Sequence, residues 1–209
     1  MPFALQISSS ASWDRLEKLL QERRTPGADK AAVDERIWDL FGEEWAVMFT
    51  DLSGFSRAVA TFGIIHFLQI IHESWRLLIP CIDRHDGILL KTEADSLLVI
   101  FRRPERALSC ALAMQEALQA YNVDRSAEEK VLLCVGLGYG KMLRIGEHDV
   151  YGAEVNAASK LGEDTAKAGE ILVTANVKEA VGQVDEVRFE PIAEIPPGAS
   201  AAFRAVYKL

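Results

Sequence analysis

Cysteine is scarce in this chain of 209 residues, and Cys81, Cys110 and Cys134 sit in apolar segments with no CxxC pair among them. That spacing excludes a zinc ribbon or a disulfide framework and predicts buried free thiols in a reducing cytoplasm. Positive charge is in deficit: 23 Lys and Arg against 31 Asp and Glu give a net charge of -8. Neither nucleic acid nor an anionic membrane is therefore expected as the main partner, although a local basic pocket is compatible with that balance. Uninterrupted apolar runs are short. The longest candidate, FGIIHFLQIIHESWRLLIPCI (62–82), is broken by His66, Gln69, His72, Glu73 and Arg76 and reads as an amphipathic helix, not a membrane span. The start, MPFALQI, has no basic residue and too short an apolar run for a secretory leader, so none is expected. Repeats and low-complexity tracts are missing too. Histidines at HxxxxxH spacing do not make a zinc motif. Ser53 and Ser56 have no visible histidine base, which argues against a serine nucleophile.

What is present is an ordinary globular composition, 49% hydrophobic and 26% charged, able to bury a full core. Residues 1–43 read as an N-terminal helical extension. Trp13, Leu16, Leu19 and Leu20 recur at helical spacing, Ser10 or Ser12 can cap, TPGAD breaks the helix, and KAAVDERIWDLFG makes a second short one. Residues 44–209 alternate. WAVMFTD predicts a strand ending in a carboxylate, and Ile64, Leu68, Ile71, Trp75 and Leu78 a helix. GILLK and SLLVIF predict a hairpin, and PERALSCALAMQEALQAY a helix opened by Pro104. KVLLCVGLGYG and KMLRIG predict a second hairpin, AEVNAASKLGEDTA a helix, GEILVT a strand and ANVKEAV a short helix, with strands VRFEPI and AFRAVYKL closing. This order is α+β, the ferredoxin-like βαββαβ plan with an antiparallel-rich sheet.

In that plan the end of the first strand lies beside the turn of the following hairpin. Asp51 and Asp95 are thereby expected to converge. Beside them DLSGFS forms a small strand-to-helix turn. Two carboxylates plus the backbone amides of Leu52, Ser53, Gly54, Phe55 and Ser56 make a cradle for a divalent cation and a nucleoside triphosphate, because Mg²⁺ prefers one or two carboxylates and phosphate oxygens.

FTDLSGFS, KTEADSLLVIF and DVYGAEVNAASKL, in that order, resemble the three signature stretches of the class III nucleotidyl cyclase catalytic domain. The resemblance covers about residues 44–180. It implies two metal ions, Mg²⁺ or Mn²⁺, on Asp51 and Asp95. It implies that Lys91 and Asp149 read the base, a pair suited to adenine and hence to ATP. It implies Asn156 for the ribose, and Lys160 and Lys141 for the phosphates. The family's site forms across a head-to-tail homodimer, and the expectation here is that base-reading and metal residues face opposite ways from one chain. The implied product is a cyclic nucleotide made in the cytoplasm. The pattern has departures. Lys160 stands where the family usually has arginine, and no lysine precedes Lys208 in the final strand pair. Ala94 replaces the usual glycine before Asp95, GLGYG lacks a histidine, and the hairpin before Asp149 is short. These departures bear on rate more than on fold. They motivate two alternatives: a catalytically weak nucleotide-binding sensor module, and a cyclase for GTP or a pyrimidine triphosphate. Glu93 has no assigned role beyond orienting Lys91, and SKLGED is read as a helix end with ordinary charges.

Overall fold

Alternation organises the longest strands. In β1 (Gly42–Leu52), Ala46, Met48 and Leu52 enter one buried cluster while Trp45 and Val47 enter another, so both faces of the strand are covered. The structure is a computed structural model that describes residues 11–54 and 61–208. After β1 come α3 (Ile64–Arg84), β2 (Ile88–Glu93), β3 (Ser96–Phe101), α4 (Pro104–Asn122) and β4 (Leu133–Ile145). The four strands lie in the order β2-β3-β1-β4, each antiparallel to its neighbour, which is the expected βαββαβ arrangement. Three more strands extend the sheet beyond β4: β6 (Ile171–Thr174), β8 (Ala202–Val206) and β7 (Arg188–Pro191), with β6 parallel to β4. β5 (Asp149–Tyr151) folds back on the end of β4. The helices α3 and α4 bury Phe67, Ile71, Leu78, Leu108, Met114 and Leu118 against one face. Pro104 opens α4 at a position where its missing N–H costs nothing.

α5 (Ala153–Ser159) covers the other face and runs into a π-helical turn, Lys160–Thr165, closed by Ala166 N–H donating to the Leu161 carbonyl at 2.8 Å. The expectation of one continuous helix here is thus corrected. The cause is close packing. A Cβ on Gly136 of β4 would lie 2.1 Å from the Ala158 carbonyl oxygen, and one on Gly162 2.7 Å from the Phe49 carbonyl oxygen. Only glycine at both positions lets the widened turn rest on the sheet.

The second hairpin is also corrected. β4 runs unbroken through Gly140 and Lys141, which pair with Trp45 and Glu44, and the turn comes later, between Ile145 and Asp149. The glycines that look like turn signals instead make room: a Cβ on Gly138 would meet the Glu154 carbonyl oxygen at 2.4 Å.

At the other end, α1 (Ala11–Arg24) and α2 (Lys30–Phe41) pack through Leu16, Leu19, Val33, Ile37 and Phe41, with Ile145 of β4 in the same cluster. Asp29 caps α2 by accepting from Ala32 N–H at 3.1 Å. Ser12 lies inside α1 and does not precede it, and Ser10 is outside the described residues.

The β2–β3 turn carries strain. Ala94 has φ +51°, a region that suits glycine. Ala94→Gly is expected to stabilise the protein by about 1 kcal/mol, raising Tm by roughly 2–4 °C in a thermal melt. A lower Tm would mean that the turn needs the alanine methyl.

Candidate active site

The end of β1 is fixed to the start of β3 by Leu97 N–H donating to the buried Thr50 Oγ1 at 3.1 Å. That tie brings Asp51, the next residue, against Asp95 in the turn before β3. Their carboxyls share a hydrogen bond, and the Leu52 amide donates to the pair. Burial first, then the charge of Asp95 and more weakly that of Glu163, pushes the Asp51 carboxyl from 3.8 up to about 6. Burial also raises Asp95, while hydrogen bonds from its own backbone, from Asp51 and from the Leu52 amide pull it back. Opposite Asp51, the Cys134 thiol is pushed up to about 12, mainly by burial, and stays protonated near neutrality.

Two half-buried carboxylates that repel each other fit a hard divalent cation that completes its shell from a ligand and water. Among the described residues no group of three or more His, Cys, Asp or Glu is placed to hold an ion, so this pair is the acidic part of the candidate cation site. The raised pKa has a consequence for metal-free protein. The unfolded carboxyl ionises near 3.9, the folded Asp51 near 6, so its contribution to stability is lost as pH rises between those values. Mn²⁺ must displace a proton at about pH 5 but not at about pH 7.5, so it should raise Tm more at the higher pH. Equal Mn²⁺ shifts at both would place the ion elsewhere.

The amide cradle is narrower than expected. Leu52 N–H is used by the carboxylates, and Ser53 N–H donates to the Leu132 carbonyl at 2.8 Å, extending the ladder. Gly54 turns the chain with φ +94°, and Phe55 and Ser56 lie outside the described residues.

Beside the pair is a cavity of about 220 Å³ lined by Phe49, Lys91, Leu98, Asp149, Tyr151 and Glu163, among others. Lys91 Nζ forms an ion pair with Asp149, and that contact raises the Lys91 pKa. A bulge between Leu89 and Lys91 makes this possible: it turns Leu90 into the core with Val47 and Ile100 and still aims Lys91 at the cavity. Glu93, exposed on the same wall, adds its charge to Lys91. The expectation that base-reading and metal residues face opposite ways is corrected by the register. Lys91 pairs with Leu98, Leu98 with Phe49, and Asp51 follows Phe49 by two residues, so all four share one face of the sheet.

The remaining candidates are less gathered. Asn156 is exposed on α5 and its Nδ2 donates to the Pro197 carbonyl at 2.8 Å. Lys160 Nζ pairs with Asp164 at 2.6 Å. Lys141 is exposed and lies seven residues along β4 from the partner of Asp51, about 23 Å at ~3.3 Å per residue, so the structure does not bring it to the pair within one chain. The cavity around Lys91 includes none of Asp51, Asp95, Asn156 and Lys160.

Two residues escaped the sequence reading. Glu163, exposed in the π-helical turn and accepting from Ser159 Oγ at 2.5 Å, lines the cavity and acts on Asp51. Glu154, buried two residues before Asn156, accepts from Tyr139 N–H at 3.0 Å, Thr174 Oγ1 at 2.6 Å and Asn176 Nδ2 at 2.8 Å. It pins α5 to β4, β6 and α6 (Ala175–Val181). The three glycines of GLGYG were the available signal for something packed tightly on β4.

Comparison with known proteins identifies the family and the fold. The profile of the adenylate and guanylate cyclase catalytic domain matches residues 42–196. A serine/threonine-protein kinase of Myxococcus xanthus, pkn2, is 30% identical over 149 residues, covering 71% of this chain and 18% of its own length. The chain therefore spans about a fifth of that curated relative. Among solved structures, an adenylate/guanylate cyclase/hydrolase from Silicibacter pomeroyi superposes with TM-score 0.67 at 24% identity, over 80% of this chain and 98% of its own. The guanylate cyclase domain of RhGC from Catenaria anguillulae, solved with GTP, superposes with TM-score 0.64 at 17% identity, over 80% and 98%. At these identities the likeness to the solved structures is one of fold.

Proposed function

The chain belongs to the adenylate and guanylate cyclase catalytic-domain family, and from that premise we propose that it is an adenylate cyclase, converting ATP to 3′,5′-cyclic AMP and pyrophosphate in the cytoplasm. The observation that supports the choice of base is the Lys91–Asp149 pair inside the cavity. Adenine presents an exocyclic N–H donor beside a ring acceptor; a carboxylate accepts from the first and an ammonium donates to the second. Guanine reverses both roles along that edge and leaves each group facing its like.

In the reaction the ribose 3′-hydroxyl gives up its proton to solvent as its oxygen bonds to the α-phosphorus, the bond from that phosphorus to the bridging oxygen breaks, and pyrophosphate leaves. Asp51 and Asp95 would hold the Mg²⁺ or Mn²⁺ ions, two per site, that when bound supply Lewis acidity at the attacking and leaving oxygens. Asn156 orients the ribose by exchanging its bond to Pro197 for one to the sugar. Lys160, released from Asp164, offsets charge on the phosphates as a point charge, without the two-pronged grip of arginine. Because the cavity of one chain does not include its own aspartates, we place the complete site between two chains facing head to tail, where the aspartates of one chain meet Lys91, Asp149 and Asn156 of the other, each pair of chains enclosing two sites.

Replacing Lys91 tests the base assignment. Lys91→Glu sets a second carboxylate beside Asp149, which cannot donate to the adenine ring. It should lower kcat/KM for ATP by about ten- to a hundredfold, roughly 1–3 kcal/mol, with a smaller loss for GTP. Equal losses for both nucleotides would remove Lys91 from base recognition. A second reading, a nucleotide-binding module with weak turnover, is favoured by the engagement of Asn156 and Lys160 with Pro197 and Asp164. Product formation by the purified protein separates the two.

A further inference from the structure

Two cavities meet at one side chain. Tyr151 lines the cavity that holds Lys91 and Asp149, and it also lines a second cavity, of about 460 Å³, between α1, α2 and the β4–β5 hairpin. The Trp13 ring near the start of α1 stands edge-on to the Tyr151 ring, with centroids 6.1 Å apart at 89°, a favoured aromatic geometry. The Tyr151 hydroxyl lies close enough to Lys91 and Asp149 for both charges to act on it.

The contact continues along the strand. Leu143 pairs with Tyr151 and Ile145 pairs with Asp149. Ile145 is fully buried, and it packs with Leu143 into the cluster that closes α1 on α2. The cross-strand neighbours of both cavity-facing residues are therefore core residues of the helical hairpin. Arg23 ties α1 to α2 through two hydrogen bonds to Asp34, at 2.5 and 3.0 Å, beside the apolar cluster the two helices share. Only residues 146–148 join β4 to β5, which leaves β5 little slack.

We propose that the α1–α2 hairpin is a selectivity element of the nucleotide site, in which Trp13, acting through Tyr151 as a positioning residue, holds β5 so that Asp149 stays on Lys91 and adenine is preferred to guanine. The inference rests on the reading of that cavity as the base site. A fixed carboxylate beside a fixed ammonium matches adenine and opposes guanine at both positions; a β5 strand free to shift loses part of the match and part of the opposition. Loosening the hairpin therefore weakens ATP and relieves the penalty on GTP.

The experiment uses the full chain and two readouts. Hydrogen exchange is followed at residues 149–151 without nucleotide. Calorimetry with Mn²⁺ then measures binding of the α,β-methylene analogues of ATP and GTP, which cannot release pyrophosphate. Trp13→Ala is expected to speed exchange at 149–151, with β1 and β6 unchanged, and to lower the ATP-to-GTP affinity ratio by about five- to tenfold, the size of one lost polar contact. Tyr151→Ala, which removes the other ring of the same contact, should reproduce both effects, and Tyr151→Phe, which keeps the ring, should retain wild-type behaviour in both. Leu20→Ala, which shortens an apolar side chain in the same second cavity, should change neither. Unchanged exchange or an unchanged ratio in both alanine variants overturns the inference and leaves the base site standing. Wild-type protein that binds neither analogue overturns the base site, and the inference with it.

Discussion

Asp51→Asn and Asp95→Asn, each made alone, should abolish turnover while leaving the fold intact, a loss of at least about a thousandfold or about 4 kcal/mol. Each substitution removes a charge from the cation site and almost no volume. Packing is spared because Asp51 lies on the face opposite Met48 and Leu52, is half-buried and belongs to neither apolar cluster. The electrostatics even predict a gain elsewhere. Asp51 is held near 6 by burial and by Asp95, so the pair strains the metal-free protein at neutral pH. Asp51→Asn ends that repulsion and should melt slightly higher than wild type without metal, while losing most of the rise in Tm that Mn²⁺ gives. Activity, thermal melts with and without Mn²⁺, and near-ultraviolet circular dichroism together check this. Near-normal turnover in either variant would remove the pair from the chemistry, whatever the melts show.

Two inactive chains should rescue each other. Asp51→Asn spoils the cation side of a site and Asn156→Ala spoils the ribose side. If the sites are shared between two facing copies, the mixed dimer has one site with both defects and one with neither. Random exchange makes about half of the dimers mixed, each with one of two sites intact, so activity should return to about a quarter of wild type. Subunit exchange is verified with differently tagged chains. No recovery despite proven exchange would mean that each chain builds its own site, which the shared sheet face of Lys91 and Asp51 makes a concrete competitor.

How much of this was legible in the sequence depends on what set each feature. The βαββαβ order was, because hydrophobic period and strand-ending residues such as Asp51 are local signals. So was the convergence of Asp51 and Asp95, since topology alone carries the end of β1 to the β2–β3 turn. The second hairpin was misread because Gly136, Gly138 and Gly140 signal a turn locally, while their purpose is the close approach of α5 and the π-helical turn, a tertiary matter. The same packing accompanies the change at the end of α5 from an α-helix to a wider turn, whose Glu163 lines the cavity. The bulge before Lys91 has no sequence signature, and it decides that lysine and leucine at neighbouring positions share a face. The commitment of Asn156 to Pro197 depends on a loop that no periodicity reports, whereas that of Lys160 to Asp164 is an i,i+4 pair within the π-helical turn.

The most direct test is a panel of ATP, GTP, CTP and UTP with purified protein and Mn²⁺, each product identified by mass. The account predicts 3′,5′-cyclic AMP and pyrophosphate from ATP, with GTP converted at least about tenfold less efficiently, the difference expected when both base-facing groups meet their like. Equal conversion of ATP and GTP would contradict the roles given to Lys91 and Asp149, and no cyclic product from any of the four would contradict the enzyme itself.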